Sequence, residues 1–252
     1  MEVSIMLGIF MLGTILGSFY NVVAYRVTKG ESILFPSSHC PKCNHALAPW
    51  ELIPIFSFLL QRGRCTSCKS KISIFYPIAE ILCGYLFLQS YLSFGLSLDL
   101  IIAFTFVSMI IIVTLSDYYY MVIEDVILII FGILLLIEIF IIHGYSSFIT
   151  SIISGLISGI FMLLIKLLGD FIFKKESMGY GDIKLLVIFG IVLQPINSIL
   201  TIFLSSFIAF PFALITLSSK KNHEIPYGPF LCAAALILYF THFNIDIITS
   251  LF

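Results

Sequence analysis

Two aspartates stand at the ends of apolar segments, where an acidic side chain is costly. Asp182 lies within the stretch MGYGDIKL at residues 178–185, where a polar loop meets an apolar segment, and Asp117 follows the apolar run 101–115. A carboxylate at the edge of the hydrocarbon region usually has a function and a partner. Two carboxyl groups at one site share a proton, so that one can activate water while the other polarises a carbonyl. The pair therefore predicts aspartic-protease chemistry, with Asp117 and Asp182 as the catalytic residues.

Three further residues are candidates for the substrate site. Gly179 and Gly181 flank Asp182, and glycine accepts positive φ and lets another backbone approach closely. The alternative is ordinary, because Asp is a common helix N-cap and glycine-rich turns precede many helices. Glu80 is the third candidate, for a position at the substrate entrance, with a helix-to-helix hydrogen bond as its alternative role.

Four cysteines form two closely spaced pairs in a polar segment. Cys40 and Cys43 enclose two residues, and 21 residues later Cys65 and Cys68 do the same. Two such pairs bring four thiolates within tetrahedral reach, as in zinc ribbons. The alternative is four reduced free thiols. We predict a structural zinc ion, because four thiolate ligands leave no open position for a catalytic water.

A zinc-protease helix motif is absent. His223 and Glu224 begin like HExxH, but the position of the second histidine is occupied by Tyr227. The acids therefore remain the candidates for hydrolytic chemistry.

The composition is that of an integral membrane protein. Of 252 residues, 60% are hydrophobic and 11% are charged, and the mean hydropathy is +1.12. Soluble domains are about 45–50% apolar and about 25% charged. We expect the lipid bilayer as a partner and no nucleic acid. The net charge of −1 carries no message about nucleic acid by itself, because in a membrane protein the placement of the few charges along the chain is what matters.

Eight apolar segments are candidates for transmembrane helices, which predicts an all-α membrane protein. The predicted spans are residues 3–25, 76–94, 98–116, 122–142, 147–168, 183–194, 197–217 and 229–250. A helix crosses the hydrocarbon core in about 20 residues. The sixth span is short, and Pro195 marks its expected end. We divide the chain into a first helix at 1–25, a four-cysteine loop at 26–75 and a membrane protease core at 76–252.

The basic residues give the predicted topology an orientation, because Lys and Arg are enriched in cytoplasmic loops. With the N-terminus outside, all 13 basic residues lie in or within about one helical turn of the cytoplasmic loops. Seven of them are in the four-cysteine loop: Arg26, Lys29, Lys42, Arg62, Arg64, Lys69 and Lys71. Both termini are then outside the cytoplasm, and Asp117 and Asp182 lie at a similar depth on the cytoplasmic side.

Taken in order along the chain, these features resemble the bacterial type IV prepilin peptidases, membrane aspartic proteases with a GxGD signature. The matching segments are 17–26 (GSFYNVVAYR), the paired cysteines enclosing 51–54 (ELIP), 72–73 (IS), 76–80 (YPIAE), Asp117, 178–185 and 226–230 (PYGPF). There are two departures from the usual pattern. Glu124 stands where the family commonly has proline before Asp125, and Thr28 replaces another common proline.

The resemblance implies both an activity and its cofactors. Asp117 and Asp182 match the catalytic pair, and the four loop cysteines match the zinc-binding set. The family cleaves short basic leader peptides from pilin-like precursors at the cytoplasmic face. Many members then methylate the new N-terminus with S-adenosylmethionine, for which no binding residue is assigned here. A second hypothesis is a proton-coupled transporter with a zinc-bound regulatory loop, which would use the same acids as a proton relay.

Overall fold

The computed structural model describes residues 2–218 and 226–241, and this part of the chain is helical. The helices are α1 (Glu2–Val27), α2 (Phe56–Leu60), α3 (Phe75–Phe94), α4 (Asp99–Tyr120), α5 (Asp125–Phe173), α6 (Tyr180–Ser218) and α7 (Gly228–Phe240), with a 3-10 helix at Pro49–Leu52. Within the described residues, extended pairing is confined to two isolated bridges, both in the four-cysteine loop. The predicted all-helical fold is confirmed.

The chain divides into two compact units, which meet in sequence between Leu100 and Ile101. In the first unit, α1 and α3 approach closely because glycines face the contact. A methyl group placed on Gly13 would lie 2.8 Å from Gly84 Cα, and one on Gly17 would lie 2.7 Å from Cys83 Cβ. Small residues four apart are a common way for membrane helices to pack.

The second unit is built around α4. Its side chains from Phe106 to Val113 are buried, including the fully buried Phe106 and Met109. The Phe106 ring packs 5.8 Å from that of Phe189 on α6 and 5.1 Å from that of Tyr239 on α7. A helix that is apolar on all sides and enclosed by its neighbours is typical of a membrane-protein core.

Two helices are too long to be single membrane crossings, and each is broken near its middle. The 49 residues of α5 would extend about 74 Å as a straight helix, against a hydrocarbon core of about 30 Å. Gly144 interrupts α5 with φ 82° and ψ −178°, a conformation suited to glycine. Gln194 interrupts α6 with φ 67° and ψ 166°, directly before Pro195, which disfavours helical geometry in the preceding residue.

The break at Gly144 reverses the direction of α5, because both of its arms contact the same part of α6. A methyl group placed on Gly132 would lie 2.7 Å from Ile188 Cδ1, and one on Gly159 would lie 2.5 Å from Val187 Cγ2. Residues before and after the break thus pack against neighbouring positions of one helix.

Among the residues that the structure describes, four helices are long and apolar enough to cross a membrane: α1, α4, α5 and α6 as far as Thr216. The chain is therefore a multi-pass membrane protein. The count of eight crossings stays a prediction. Its last span was predicted to run to residue 250, and that end, like His223 and Glu224, lies outside the described residues.

Candidate active site and metal centre

The structure brings Asp117 and Asp182 together inside the second unit. Asp117 lies in the last turn of α4 and Asp182 in the first turn of α6, and their side chains are only 6% and 8% exposed. The two carboxyl groups are close enough to interact electrostatically. Buried like charges cannot both ionise at low cost, so a pair in this position favours holding one proton.

Gly228 completes the site at the start of α7. Its backbone N–H donates a hydrogen bond of 3.0 Å to Asp117 Oδ2, and a methyl group placed on it would lie 2.5 Å from the same oxygen. Only glycine allows the backbone to come this close to the carboxylate. In the sequence, the segment 226–230 was noted only for its resemblance to a family motif, and the proximity of Gly228 to Asp117 was not predicted.

Cys232, one helical turn after Gly228, lies next to both acids. Its side chain is 1% exposed, and it interacts electrostatically with Asp117 and Asp182 and hydrogen-bonds with Thr114. The site is thus assembled from α4, α6 and α7. Nothing in the sequence indicated that Cys232 lies beside the acids.

The two glycines beside Asp182 have different surroundings, and neither has a positive φ. A methyl group placed on Gly181 would lie 3.0 Å from Ile123 Cβ, so this glycine allows the start of α6 to pack against the α4–α5 connection. A methyl group placed on Gly179 would meet nothing nearer than 3.9 Å, and its nearest neighbour would be Asp182 Oδ2. Open space beside the carboxylate is therefore found at Gly179 rather than at Gly181.

A buried lysine holds the segment that leads into α6. Lys166 is 2% exposed, donates a hydrogen bond of 2.7 Å to the Met178 carbonyl oxygen, and places its Nζ 4.6 Å from the centre of the Tyr180 ring. Burying an ammonium group is costly unless it is paired. Lys166 thus fixes the backbone on the N-terminal side of Asp182, and sequence analysis had assigned it no role.

Further contacts fix the same segment. Asp170 lies 3.3 Å from Lys166 Nζ and accepts hydrogen bonds from the Ser177 backbone N–H at 2.6 Å and hydroxyl at 2.7 Å. On the other side of Asp182, Lys184 donates to both Asp125 oxygens at 2.6 and 2.7 Å. The position of Asp182 is therefore set by ionic contacts on both sides of it along the chain.

Glu80 lies in the first unit, where it connects two helices and the four-cysteine loop. Its Oε2 accepts a hydrogen bond of 2.8 Å from the Ile55 backbone N–H, and Ser18 on α1 also hydrogen-bonds to its carboxyl group. Ile55 has φ 63° and ψ −54°, which is a strained conformation for a β-branched residue. Glu80 therefore makes the helix-to-helix contact that sequence analysis considered, and in addition holds a strained turn of the loop.

The four loop cysteines form one cluster. All four sulfur atoms lie within 4.8 Å of one another, with 3.8 Å between Cys40 and Cys68 and 3.9 Å between Cys43 and Cys65. A tetrahedral zinc ion with Zn–S bonds of about 2.3 Å would require sulfur atoms about 3.8 Å apart. The cysteines are unpaired by disulfides. The residues therefore fit a four-thiolate metal site.

The two cysteine pairs are presented by the same backbone turn used twice. In the first, the Asn44 N–H donates to the Cys40 carbonyl at 2.9 Å, and in the second the Lys69 N–H donates to the Cys65 carbonyl at 3.0 Å. Asn44 and Lys69 share a left-handed conformation, with φ 57° and 58°. Isolated bridges close each turn, between His39 and Ala46 and between Arg64 and Lys71. This repetition places the two pairs of sulfur atoms face to face.

The cluster also favours a cation electrostatically. The backbone N–H groups of Lys42 and Cys43 lower the pKa of Cys40 to about 6. Although the His45 N–H acts in the same direction on Cys43, burial and the other three sulfurs raise the pKa of Cys43 to about 11. Four neighbouring thiols thus resist full ionisation by themselves, and a divalent cation would compensate for the accumulated charge.

Glu51 joins the two turns. It accepts hydrogen bonds from the Thr66 hydroxyl at 2.6 Å and the Ala48 N–H at 2.8 Å, and lies 3.1 Å from His45 Nε2. These contacts, led by that of Thr66, hold the pKa of Glu51 below its usual value. The ionised carboxylate therefore stabilises the loop above the usual carboxyl pKa, and this contribution is lost as the pH falls through the lowered value.

Comparisons with known proteins identify the family of the chain. Residues 11–94 match the bacterial peptidase A24 N-terminal domain, and residues 104–214 match the type IV leader peptidase family. The chain is 35% identical to the prepilin leader peptidase/N-methyltransferase of Bacillus subtilis, covering 92% of each chain. It is 32% identical to the protein of that name from Neisseria gonorrhoeae, over 91% of this chain and 88% of the relative. No solved structure matches the chain.

Proposed function

This chain belongs to the type IV leader peptidase family, and on that premise we propose that it is a membrane aspartic endopeptidase that removes leader peptides from type IV prepilin-like precursors. Asp117 and Asp182 are the proposed catalytic pair. The observation that carries the assignment is the meeting of these two buried carboxyl groups, which come from helices far apart in sequence.

The pair would work with a single shared proton. The ionised carboxyl takes a proton from water as the water oxygen attacks the scissile carbonyl carbon, and the protonated carboxyl gives its proton to the carbonyl oxygen. In the second step the carboxyl that gained a proton passes it to the leaving nitrogen, and the C–N bond breaks. The other carboxyl then takes a proton from the gem-diol hydroxyl, which restores the starting pair without a covalent intermediate.

Gly228 is proposed as a positioning residue for this chemistry. Its N–H holds one oxygen of Asp117, which orients the other carboxyl oxygen without a mobile side chain. A backbone donor costs no reorganisation during the reaction, because its position is fixed by the fold. The substrate backbone would approach at Gly179, where the structure leaves space beside Asp182.

Glu80 is proposed to anchor the four-cysteine loop rather than to touch the substrate. Its carboxyl group already receives hydrogen bonds from Ile55 and from Ser18. We also propose that the four-cysteine loop binds one structural zinc ion through Cys40, Cys43, Cys65 and Cys68, which supplies folding energy to a loop that lacks its own apolar core.

We propose eight membrane crossings with both termini outside and the catalytic pair on the cytoplasmic side. The breaks at Gly144 and Gln194 support this count, because each divides a helix that is too long for one crossing into two shorter arms. The distribution of Lys and Arg supports the orientation. The boundaries proposed from sequence, 1–25, 26–75 and 76–252, accompany this topology.

A second activity, N-methylation of the new N-terminus with S-adenosylmethionine, is proposed from the names of the relatives alone. The transporter alternative has no support from the comparisons. Two acids that interact at one site also differ from a relay, which would place acids at several depths across the bilayer.

The proposed function is tested with purified protein in lipid nanodiscs and a purified prepilin-like precursor carrying a basic leader. Mass spectrometry should show release of the leader by one cut after a glycine. With labelled S-adenosylmethionine present, the shortened product should also gain one methyl group. An intact precursor under conditions in which the protein is folded and zinc-loaded would contradict the peptidase assignment, and a cut but unmethylated product would contradict only the second activity.

A further inference from the structure

The short helix α2 is apolar but has no buried side chain. It consists of Phe56–Leu60, and Phe56, Leu59 and Leu60 are 60%, 64% and 77% exposed. The helix belongs to the loop between α1 and α3, which exposes further apolar side chains, among them Leu34 at 76% and Phe35 at 77%. Exposed apolar surface costs about 25 cal/mol per Å² in water, so a cluster of this kind indicates a covering partner.

The hydrogen bond between Ile55 and Glu80 fixes the position of α2 along the axis of α3. Ile55 immediately precedes α2, and its N–H lies 2.8 Å from the Glu80 carboxylate. Glu80 is five residues beyond the start of α3 at Phe75, a rise of about 8 Å along the helix axis. This bond holds α2 beside the first turns of α3, which is a crossing predicted from the sequence, and these turns would then lie at the level of the lipid headgroups.

Basic side chains adjoin the apolar surface. A depression of about 640 Å³ is lined by Trp50, Leu60, Gln61, Arg62, Arg64, Thr66 and Lys69. Its lining includes three cations and no acid, and among the residues that the structure describes no carboxylate forms an ion pair with them. Trp50 is 51% exposed at this depression. Tryptophan with neighbouring Arg and Lys is typical of protein surfaces at the membrane interface.

We propose that α2, together with Trp50, Arg62, Arg64 and Lys69, is a docking surface for anionic phospholipid. The side chains of Phe56, Leu59 and Leu60 enter the boundary between headgroups and acyl chains, and the three cations contact lipid phosphates. We choose the bilayer as the occupant because the bond to Glu80 holds α2 beside the start of α3, a predicted crossing, and because anionic headgroups complement the three cations of the depression. The four-cysteine loop would then be held in two ways, internally by its metal ion and externally by the membrane.

Trp50 allows a direct test, because it is the only tryptophan in the chain. The full-length protein is placed in nanodiscs containing phosphatidylglycerol and lipids brominated either near the glycerol or near the methyl end. Emission of Trp50 should be blue-shifted, and quenched more strongly by the shallow bromine atoms than by the deep ones. Emission that is unquenched by either lipid would overturn the proposal. If that emission is also blue-shifted, Trp50 is covered by protein or by a second copy of the chain instead of by lipid.

Variants test the charge contribution. In Arg62→Gln/Arg64→Gln, the ratio of docked to undocked loop should fall by about fivefold for each arginine removed. Replacing phosphatidylglycerol by phosphatidylcholine should reproduce this loss in the wild type. Lys42→Gln removes one positive charge outside the depression, as each single arginine substitution does inside it, and should leave quenching unchanged.

Metal content shows whether each variant loop is folded. Quenching that is equal in all variants that keep their metal would overturn the lipid assignment. If a variant loses its metal, the test is the wild type in phosphatidylglycerol against phosphatidylcholine, and equal quenching in the two lipids would overturn the proposal. Inorganic phosphate added in solution should not displace Trp50 from the membrane, because the proposal assigns the site to lipid; displacement would overturn it.

Discussion

The four-cysteine loop and the aspartate pair form their sites in opposite ways. In the loop, each cysteine pair comes from four consecutive residues, and the same hydrogen-bonded turn presents both pairs. The aspartates come from the last turn of α4 and the first turn of α6, and the backbone of α7 completes the arrangement. One site is set by local backbone geometry and the other by helix packing.

Because the two sites are formed differently, we expect them to respond differently to substitutions. A site made by local turns depends on its ligands, and substitutions elsewhere in the protein should affect it little. A site made by packed helices depends on small steric and ionic contacts that never touch a substrate. Four substitutions test this contrast.

Cys40→Ser should abolish metal binding, because a hydroxyl is a poor replacement for one of four thiolates. Metal analysis should fall from about one zinc per chain to none. Ser67→Ala, a change at an exposed position between Cys65 and Cys68, should retain the metal. Cleavage should fall less than in the glycine variant described next, and an equal or larger loss would show that the two sites depend on each other.

Gly228→Ala should reduce the cleavage rate about 100-fold, because the added methyl group would push Asp117 out of position and displacements of about 1 Å have effects of this size. Zinc content should be unchanged. Gly8→Ala is the matched control, since a methyl group there meets no atom within 4 Å. Near-normal cleavage by Gly228→Ala would mean that the contact with Asp117 has no role.

Lys166→Met should lower kcat about 30-fold, which corresponds to loss of one hydrogen bond from a charged group. Methionine keeps most of the apolar stem, but the Met178 carbonyl loses its donor and the approach to Asp182 is no longer fixed. Because Lys166 is a positioning residue, KM should change little, whereas misfolding would lower the amount of active protein in an active-site titration. Lys175→Met is an exposed control in the same connection.

Glu51→Gln should weaken zinc binding about tenfold, the lower end of the effects seen for residues that orient metal ligands. The amide can still accept from the Ala48 N–H, but it loses the charge that attracts the Thr66 hydroxyl. Competition with a chelator measures the affinity, and Glu31→Gln serves as an exposed control. An unchanged affinity would show that Glu51 does not join the two turns.

The same contrast explains how much the sequence could predict. The cysteine spacing predicted a compact four-sulfur cluster, because local turns follow directly from nearby residues. The apolar segments and Pro195 predicted the position of the break in α6, since the residue before a proline resists helical geometry. The interruption at Gly144 was anticipated only as a gap between two predicted spans.

The long-range packing of the helices could not be predicted from the sequence. The charge pattern placed Asp117 and Asp182 at similar depth, but nothing in the residues predicted that Gly228 would donate to Asp117 or that Cys232 would lie beside both acids. Lys166 was counted only as a basic residue near a loop. Positive φ was considered for Gly179 and Gly181, whereas the structure explains Gly181 by its contact with Ile123.

Single-turnover cleavage with enzyme in excess shows whether Asp117 and Asp182 act together as the proposed catalytic pair. Asp117→Asn and Asp182→Asn should each lower the rate about 1,000-fold, since loss of either acid removes the shared proton or its acceptor. Glu138→Gln changes another membrane carboxyl, hydrogen-bonded to Thr105 about 18 Å along α4 from Asp117, and should cleave normally. Cleavage by either Asn variant at a rate within about tenfold of wild type would contradict the pair.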